Sequence, residues 1–204
     1  MFNFLKARWF DVGLVIAFVT IKGIWMHATK MSYASLALWM GFAALLLHHA
    51  EEYHWPGNFP EWAHRILFRN DPQRRYMFTV NASFFTNVCV EWVTFILAAA
   101  LVNVALWLGI ATMLFCFGNF IKHAVYYNIK ARSRYNPGML TAVFFLLPVS
   151  LFFFINVIRH NTASLWDWVI GIPLGIFFTL VSSVKLMEWL QRAKEKKISV
   201  VPLV

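Results

Sequence analysis

Charge is scarce in this 204-residue chain. Asp, Glu, Lys and Arg together make up 13% of it, where soluble domains carry about a quarter. That shortage, with 60% hydrophobic residues and a mean hydropathy of +0.61, excludes an ordinary soluble domain and implies an integral membrane protein. Acidic residues are scarcer still, 9 against 18 Lys and Arg, which leaves a formal net charge of +9. A basic balance is also the footprint of nucleic-acid binding. Here the basic residues fall between apolar runs, where topology accounts for them, and no nucleic-acid partner is expected. Cysteine is nearly absent: Cys89 and Cys116 both lie inside apolar runs and have no metal-ligand spacing. A disulfide framework and thiolate-bound Cu(I) or iron–sulfur sites are thereby excluded. No cleavage-site pattern follows the first apolar run, so it reads as a spanning helix rather than a removed signal.

Long apolar runs are what the chain has in quantity, with 21 Phe and 10 Trp suited to lipid-facing and interfacial surfaces. A span needs about 20 mostly apolar residues, and six runs qualify: 12–27, 33–52, 78–99, 102–126, 139–158 and 165–190. The basic residues of the connections alternate in density. One side collects Lys6 and Arg8; Arg65, Arg69, Arg74 and Arg75; Lys130, Arg132 and Arg134; and Arg192, Lys194, Lys196 and Lys197. The other has Lys30 and Arg159. The expected architecture is therefore an all-α polytopic helix bundle of six transmembrane helices. It forms a single domain over residues 1–204, in a bacterial inner or plasma membrane with both termini cytoplasmic. Between spans two and three, Asn58 with Pro60 and Glu61 predicts a capped short interfacial helix. Phe59, Trp62 and Ile66 would lie on the bilayer, with Arg65 and Arg69 toward water.

Polar residues inside apolar runs are costly and point to function. Span two carries His48, Glu51 and Glu52, with His48 three and four residues before the two carboxylates and so on a shared helix face. Span three carries Asn87 and Glu91, four apart, and span four carries Asn119 and His123, again four apart, with Tyr127 one turn on. Loop charges place nearly all of these in the cytoplasmic half, with Glu91 the deepest. Two imidazoles and three carboxylates are enough donors for one or two divalent ions, and bundle cores build such sites from facing helices. Carboxylate and imidazole suit Fe, Mn or Zn. The candidate metal residues are His48, Glu51, Glu52, Glu91 and His123, with Asn87 and Asn119 as neutral ligands or orienting donors. Glu52 and Glu91 are the candidate catalytic carboxylates. Lys185 and Glu188, near the end of span six, either join the site or pair at the interface.

His48-x-x-Glu51-Glu52, the WPGNFPEW turn after Tyr53, Asn87-x-x-x-Glu91 and the Tyr135-Asn136-Pro137-Gly138 turn resemble the HXXEE-domain family of integral membrane proteins over about residues 39–148. The family's third motif has two histidines four apart, and here Tyr127 stands in the second position after His123. The resemblance implies a metal-binding membrane protein and carries over no reaction. The expected function is a membrane metalloenzyme with Zn or Fe, acting on a lipid-like or apolar substrate. Hydrolysis is favoured, with a spare Glu as general base. A carboxylate-bridged di-iron oxygenase or desaturase is the alternative. The rivals are a cation or proton transporter, for which the far half of the bundle offers few polar residues, and a haem protein with His48 and His123 as axial ligands.

The topology makes a prediction. Alkaline phosphatase fused after Val204 should be inactive and a fluorescent protein fused there should fluoresce, with the pattern reversed for fusions in the 159–165 loop. An active phosphatase at the C-terminus would invert the assignment.

Overall fold

The computed structural model describes residues 2–69 and 79–181. Among them every regular element is helical, with no strand. A short α1, Phe2–Ala7, leads into α2, Trp9–Lys30. After Ser32, whose hydroxyl accepts from Ser35 N at 3.1 Å and caps the next helix, α3 runs Tyr33–Tyr53. Then come the short α4, Phe59–Trp62, continued by a π-type turn over Ala63–Leu67, and α5, Val80–Ala100, α6, Leu106–Ala131, and α7, Met139–Arg159. The last described helix is α8, Leu165–Leu180, opened by a capping box in which Ser164 and Asp167 bond each other's backbone amides.

Five of these helices, α2, α3, α5, α6 and α7, are long and apolar enough to cross a membrane, which supports an integral membrane protein. The sixth expected run is represented by α8, and its last part, 182–190, lies outside the described residues, as do Arg74, Arg75, Lys185, Glu188 and the basic residues from Arg192 on.

The bundle is organised around α3, the most buried of the five. It packs against α2 on one side and against α5, α6 and α7 on the others, while α8 lies along α6. The core between them is aromatic and branched: Phe42, Phe95 and Phe153 are fully enclosed with Leu38, Leu45, Leu46, Ile110 and Met113. The outer faces carry exposed apolar side chains, among them Phe18, Phe144, Ile155 and Phe177. Lipid gives helices no hydrophobic reason to associate, so close packing and small residues must do it. The α6–α8 contact shows this: a Cβ on Gly171 would stand 2.7 Å from the Trp107 carbonyl oxygen, and one on Gly175 2.9 Å from that of Ala111.

The segment after α3 differs in detail from expectation. A short helix is there, but Asn58 sits at its start with φ 70° and makes no capping hydrogen bond, because a left-handed backbone turns its side chain away from the first-turn amides. Phe59 does not lie on the outside. It is buried, with its ring 5.3 Å from that of His123 and 5.9 Å from that of Tyr127. Arg65, Ile66 and Arg69 are exposed. The helix thus closes over the end of the bundle where the polar residues gather.

Because the α6–α8 approach is backbone to backbone, Gly171→Val should cost about 1–3 kcal/mol through overpacking. Thermal unfolding in lipid nanodiscs would read it; an unchanged midpoint would mean that the two helices do not meet as described.

Candidate metal centre

The motif on α3 sends its side chains to three different places. His48 and Glu52, one helical turn apart, face His123 of α6. Glu52 Oε1 lies 3.8 Å from His48 Nε2 and 3.3 Å from His123 Nε2, and all three donor atoms lie within 4.8 Å of one another. All three residues are buried. Ligands 2.0–2.2 Å from a common ion stand roughly 3–3.6 Å apart at octahedral or tetrahedral angles, so both Glu52 contacts lie close to what one divalent ion requires. The group could hold a metal.

Hydrogen bonds on the far side of each imidazole fix how the rings present themselves. His48 Nδ1 is 2.9 Å from Thr141 Oγ1. That hydroxyl has one proton, and both of its other partners, Glu51 Oε2 and the Gly138 carbonyl, can only accept. The Thr141 oxygen must therefore accept from His48 Nδ1–H. His123 Nδ1 is 2.8 Å from Asn136 Oδ1. The Asn136 amide nitrogen donates to the His123 carbonyl at 2.7 Å and to Asn128 Oδ1 at 2.8 Å, which leaves Oδ1 as an acceptor and Nδ1 as the donor. A neutral ring at either position keeps its proton on Nδ1 and turns a bare Nε2 toward Glu52. Metal-ligating histidines are oriented in this way. Gly138 makes the arrangement compact. Its φ is 96°, and a Cβ there would stand 2.7 Å from His123 Nδ1 and 2.8 Å from His48 Cε1.

Glu51 was expected among the ligands. It points instead at the first turn of α7, accepting from Leu140 N at 3.1 Å, Thr141 N at 2.7 Å, Thr141 Oγ1 at 2.5 Å and Tyr135 OH at 3.0 Å. Both oxygens are engaged, and the carboxylate caps α7 from another helix, where negative charge and open amides match. Burial and the adjacent Glu51 carboxylate push the Tyr135 phenol above its ordinary value, so it stays a donor.

Glu91 also stands apart from the three-residue group. It pairs with His49, whose Nε2 lies 3.1 Å from Glu91 Oε2. Trp92 Nε1, which can only donate, lies 3.1 Å from His49 Nδ1. His49 therefore carries its proton on Nε2 and gives it to Glu91, the opposite tautomer to its neighbour His48, and Trp9 packs edge-on to it at 5.2 Å. His49 is buried. A cavity of about 540 Å3 joins the two clusters: His48, Glu52 and His123 line it together with His49 and Glu91. Asn87, which donates to Tyr53 OH at 3.4 Å, and Asn119 are buried and line the same cavity. The His48 and His123 rings meet edge to face at 4.7 Å, which leaves no gap for a porphyrin plane between them.

Thr141, Asn136, Tyr135, Gly138 and Trp92 were not singled out as functional from sequence. Their only sequence signal is an Asn-Pro-Gly turn placed just before a span.

Fold and site together define an all-helical integral membrane protein with a buried His/Glu centre that could bind a divalent metal. A family model described as a protein of unknown function with HXXEE motif matches residues 39–153, more than half of the chain, and the chain belongs to that family. Comparison with curated proteins and with solved structures gives no match.

The two adjacent acids should respond differently to truncation. Glu51→Ala leaves the α7 amides unsatisfied and should destabilise the apoprotein by about 3 kcal/mol. Glu52→Ala should change stability by less than about 1 kcal/mol and abolish metal binding. Unfolding midpoints measured in chelator would separate them; equal losses would contradict the division of roles.

Proposed function

We propose that the protein is a membrane metalloenzyme in which His48 Nε2, Glu52 and His123 Nε2 hold one divalent ion, and that it hydrolyses a lipid-like or otherwise apolar substrate bound in the adjoining cavity. The observation that carries this reading is the convergence of two imidazole Nε2 atoms, each ring held by a hydrogen bond at its Nδ1, on one buried carboxylate. A carboxylate and two imidazoles facing one another in a buried site favour a cation between them. Three protein ligands beside a cavity are the pattern of catalytic rather than structural sites. A divalent ion there supplies Lewis acidity toward an ester, amide or phosphoester oxygen. Glu91 borders the same cavity, is oriented by His49, and serves as the general base that takes a proton from the attacking water. The buried walls of α3, α5 and α6 limit access of bulk water.

The same three ligands, two imidazoles and a carboxylate, are also the set favoured by non-haem iron in dioxygen chemistry. That composition supports iron-dependent oxidation of an apolar substrate as the second reading. In either case the chain is taken as one domain with both termini on the cytoplasmic side of a bacterial inner or plasma membrane. A sixth span would be completed beyond Leu180, and the substrate would enter from the inner leaflet.

Elemental analysis of purified protein should find about one Zn or Fe per chain. Metal should be lost in His48→Ala, Glu52→Ala and His123→Ala and kept in Glu91→Gln. Metal-free wild type with an intact fold would overturn the proposal, and iron with a dioxygen-sensitive spectrum would select oxidation over hydrolysis.

A further inference from the structure

Tyr127 occupies the position where the family's third motif has a second histidine, and its surroundings differ from those of a ligand. Its ring is wedged among His123 at 4.9 Å, Tyr126 at 5.6 Å, Phe59 at 5.9 Å and Trp62 at 6.1 Å. Only 6% of the residue is exposed, and it lines the cavity beside the metal centre. Among the described residues no hydrogen bond reaches its hydroxyl, although neighbouring side chains such as Asn128 and Lys130 are bonded. A buried phenol usually finds a partner. A hydroxyl aimed into a cavity without one is a donor waiting for a ligand.

The wall that carries it is donor-rich. Along α6 the cavity is bordered by Asn119, Lys122, Tyr126, Tyr127 and Lys130, with no carboxylate among them. The carboxylates, Glu52 and Glu91, come from α3 and α5 on other walls. Lys130 and Tyr126 are exposed and mark the mouth, with Lys130 Nζ donating to Tyr126 OH at 3.4 Å. The apolar part of the lining includes Phe59, Leu67, Phe68 and Leu180. Phenol and ammonium donors on one side, and aromatic and aliphatic side chains on the other, match a ligand with an oxyanion at one end and a hydrocarbon chain at the other.

We propose that the α6 wall, with the Tyr127 hydroxyl at its centre and Lys130 at the mouth, binds the phosphate group of an anionic amphiphile and sets it next to the His48–Glu52–His123 centre. This rests on the reading of the cavity as the substrate site and names the substrate class. The phosphate oxygens accept from the phenol and the Lys130 ammonium, and the chain runs over Phe59 and Phe68. Tyrosine instead of histidine at position 127 then leaves the metal to three ligands and gives the cavity a neutral donor for the substrate.

The test uses full-length protein in nanodiscs of phosphatidylcholine. Three probes are titrated: oleoyl lysophosphatidic acid, oleoyl lysophosphatidylcholine and inorganic phosphate, with metal content measured on the same samples. The anionic amphiphile should bind at least about tenfold more tightly than the zwitterionic one. Tyr127→Phe, which keeps the ring and its packing, should reduce that affinity about five- to tenfold with metal content unchanged. Lys130→Gln should erode the preference. Equal binding of the two amphiphiles, or an unaffected Tyr127→Phe, overturns the proposal. Inorganic phosphate binding as tightly as the amphiphile also overturns it, since the chain would then contribute nothing. Metal-loaded protein without the preference defeats only this inference, whereas the preference in metal-free wild type supports it and defeats the metalloenzyme reading.

Discussion

The Glu51 carboxylate ties α3 to the first turn of α7, and the geometry of the centre follows from that bond. A helix that begins inside a bilayer protein has first-turn amides that water does not reach, and something must satisfy them. Here a side chain from another helix does so, through Leu140 N and Thr141 N. Thr141 also spends its hydroxyl proton toward acceptors, so its oxygen must accept from His48. A helix cap thereby determines which nitrogen of an imidazole is bare, three residues earlier on α3. The electrostatics of a buried cap and the tautomer of a candidate ligand are one constraint.

One and a quarter turns of α3 thus serve three partners. His48 and Glu52 turn to α6, Glu51 to α7, and His49 to α5 through Glu91 and Trp92. The adjacent histidines are held as opposite tautomers, one a lone-pair donor and the other a proton donor. The facing helices are not ideal. α5 is π-helical over Phe85–Trp92, α6 over Ile121–Tyr126 and α7 over Ala142–Leu146. Such widened turns recur at functional sites, and here they fall on Asn87, Glu91 and His123 or directly follow Thr141. They change the phase at which side chains leave the helix, so a site assembled on them is not a simple projection of four-residue spacing.

The helical architecture and the apolar runs could be read from composition, because hydropathy and length decide them. Which polar residues gather at one end could also be read, since apolar runs make every His, Glu and Asn conspicuous. The division of labour among them could not. His48, Glu51 and Glu52 share a face within a 3.6-residue period, and nothing in that period says that Glu51 turns to a helix some ninety residues later while Glu52 stays. His49 lies close to the end of its apolar run, and the packing of Trp9 and Trp92 encloses it. Thr141 was invisible because a threonine in a span is ordinary, and Asn136 read only as part of a turn because an asparagine before proline is common there. The capping signal at Asn58 was present in sequence and unused, since Gly57 and Asn58 both adopt positive φ.

The far-side partners of the two imidazoles are a hydroxyl and a carboxamide, both uncharged. Where an anionic group fills that role, it pushes electron density through the ring and tightens the ligand's grip. Neutral acceptors orient without pushing, so an ion seated between His48, Glu52 and His123 would be exchangeable, and its identity would follow the supply of divalent metals in the compartment as much as any preference of the protein.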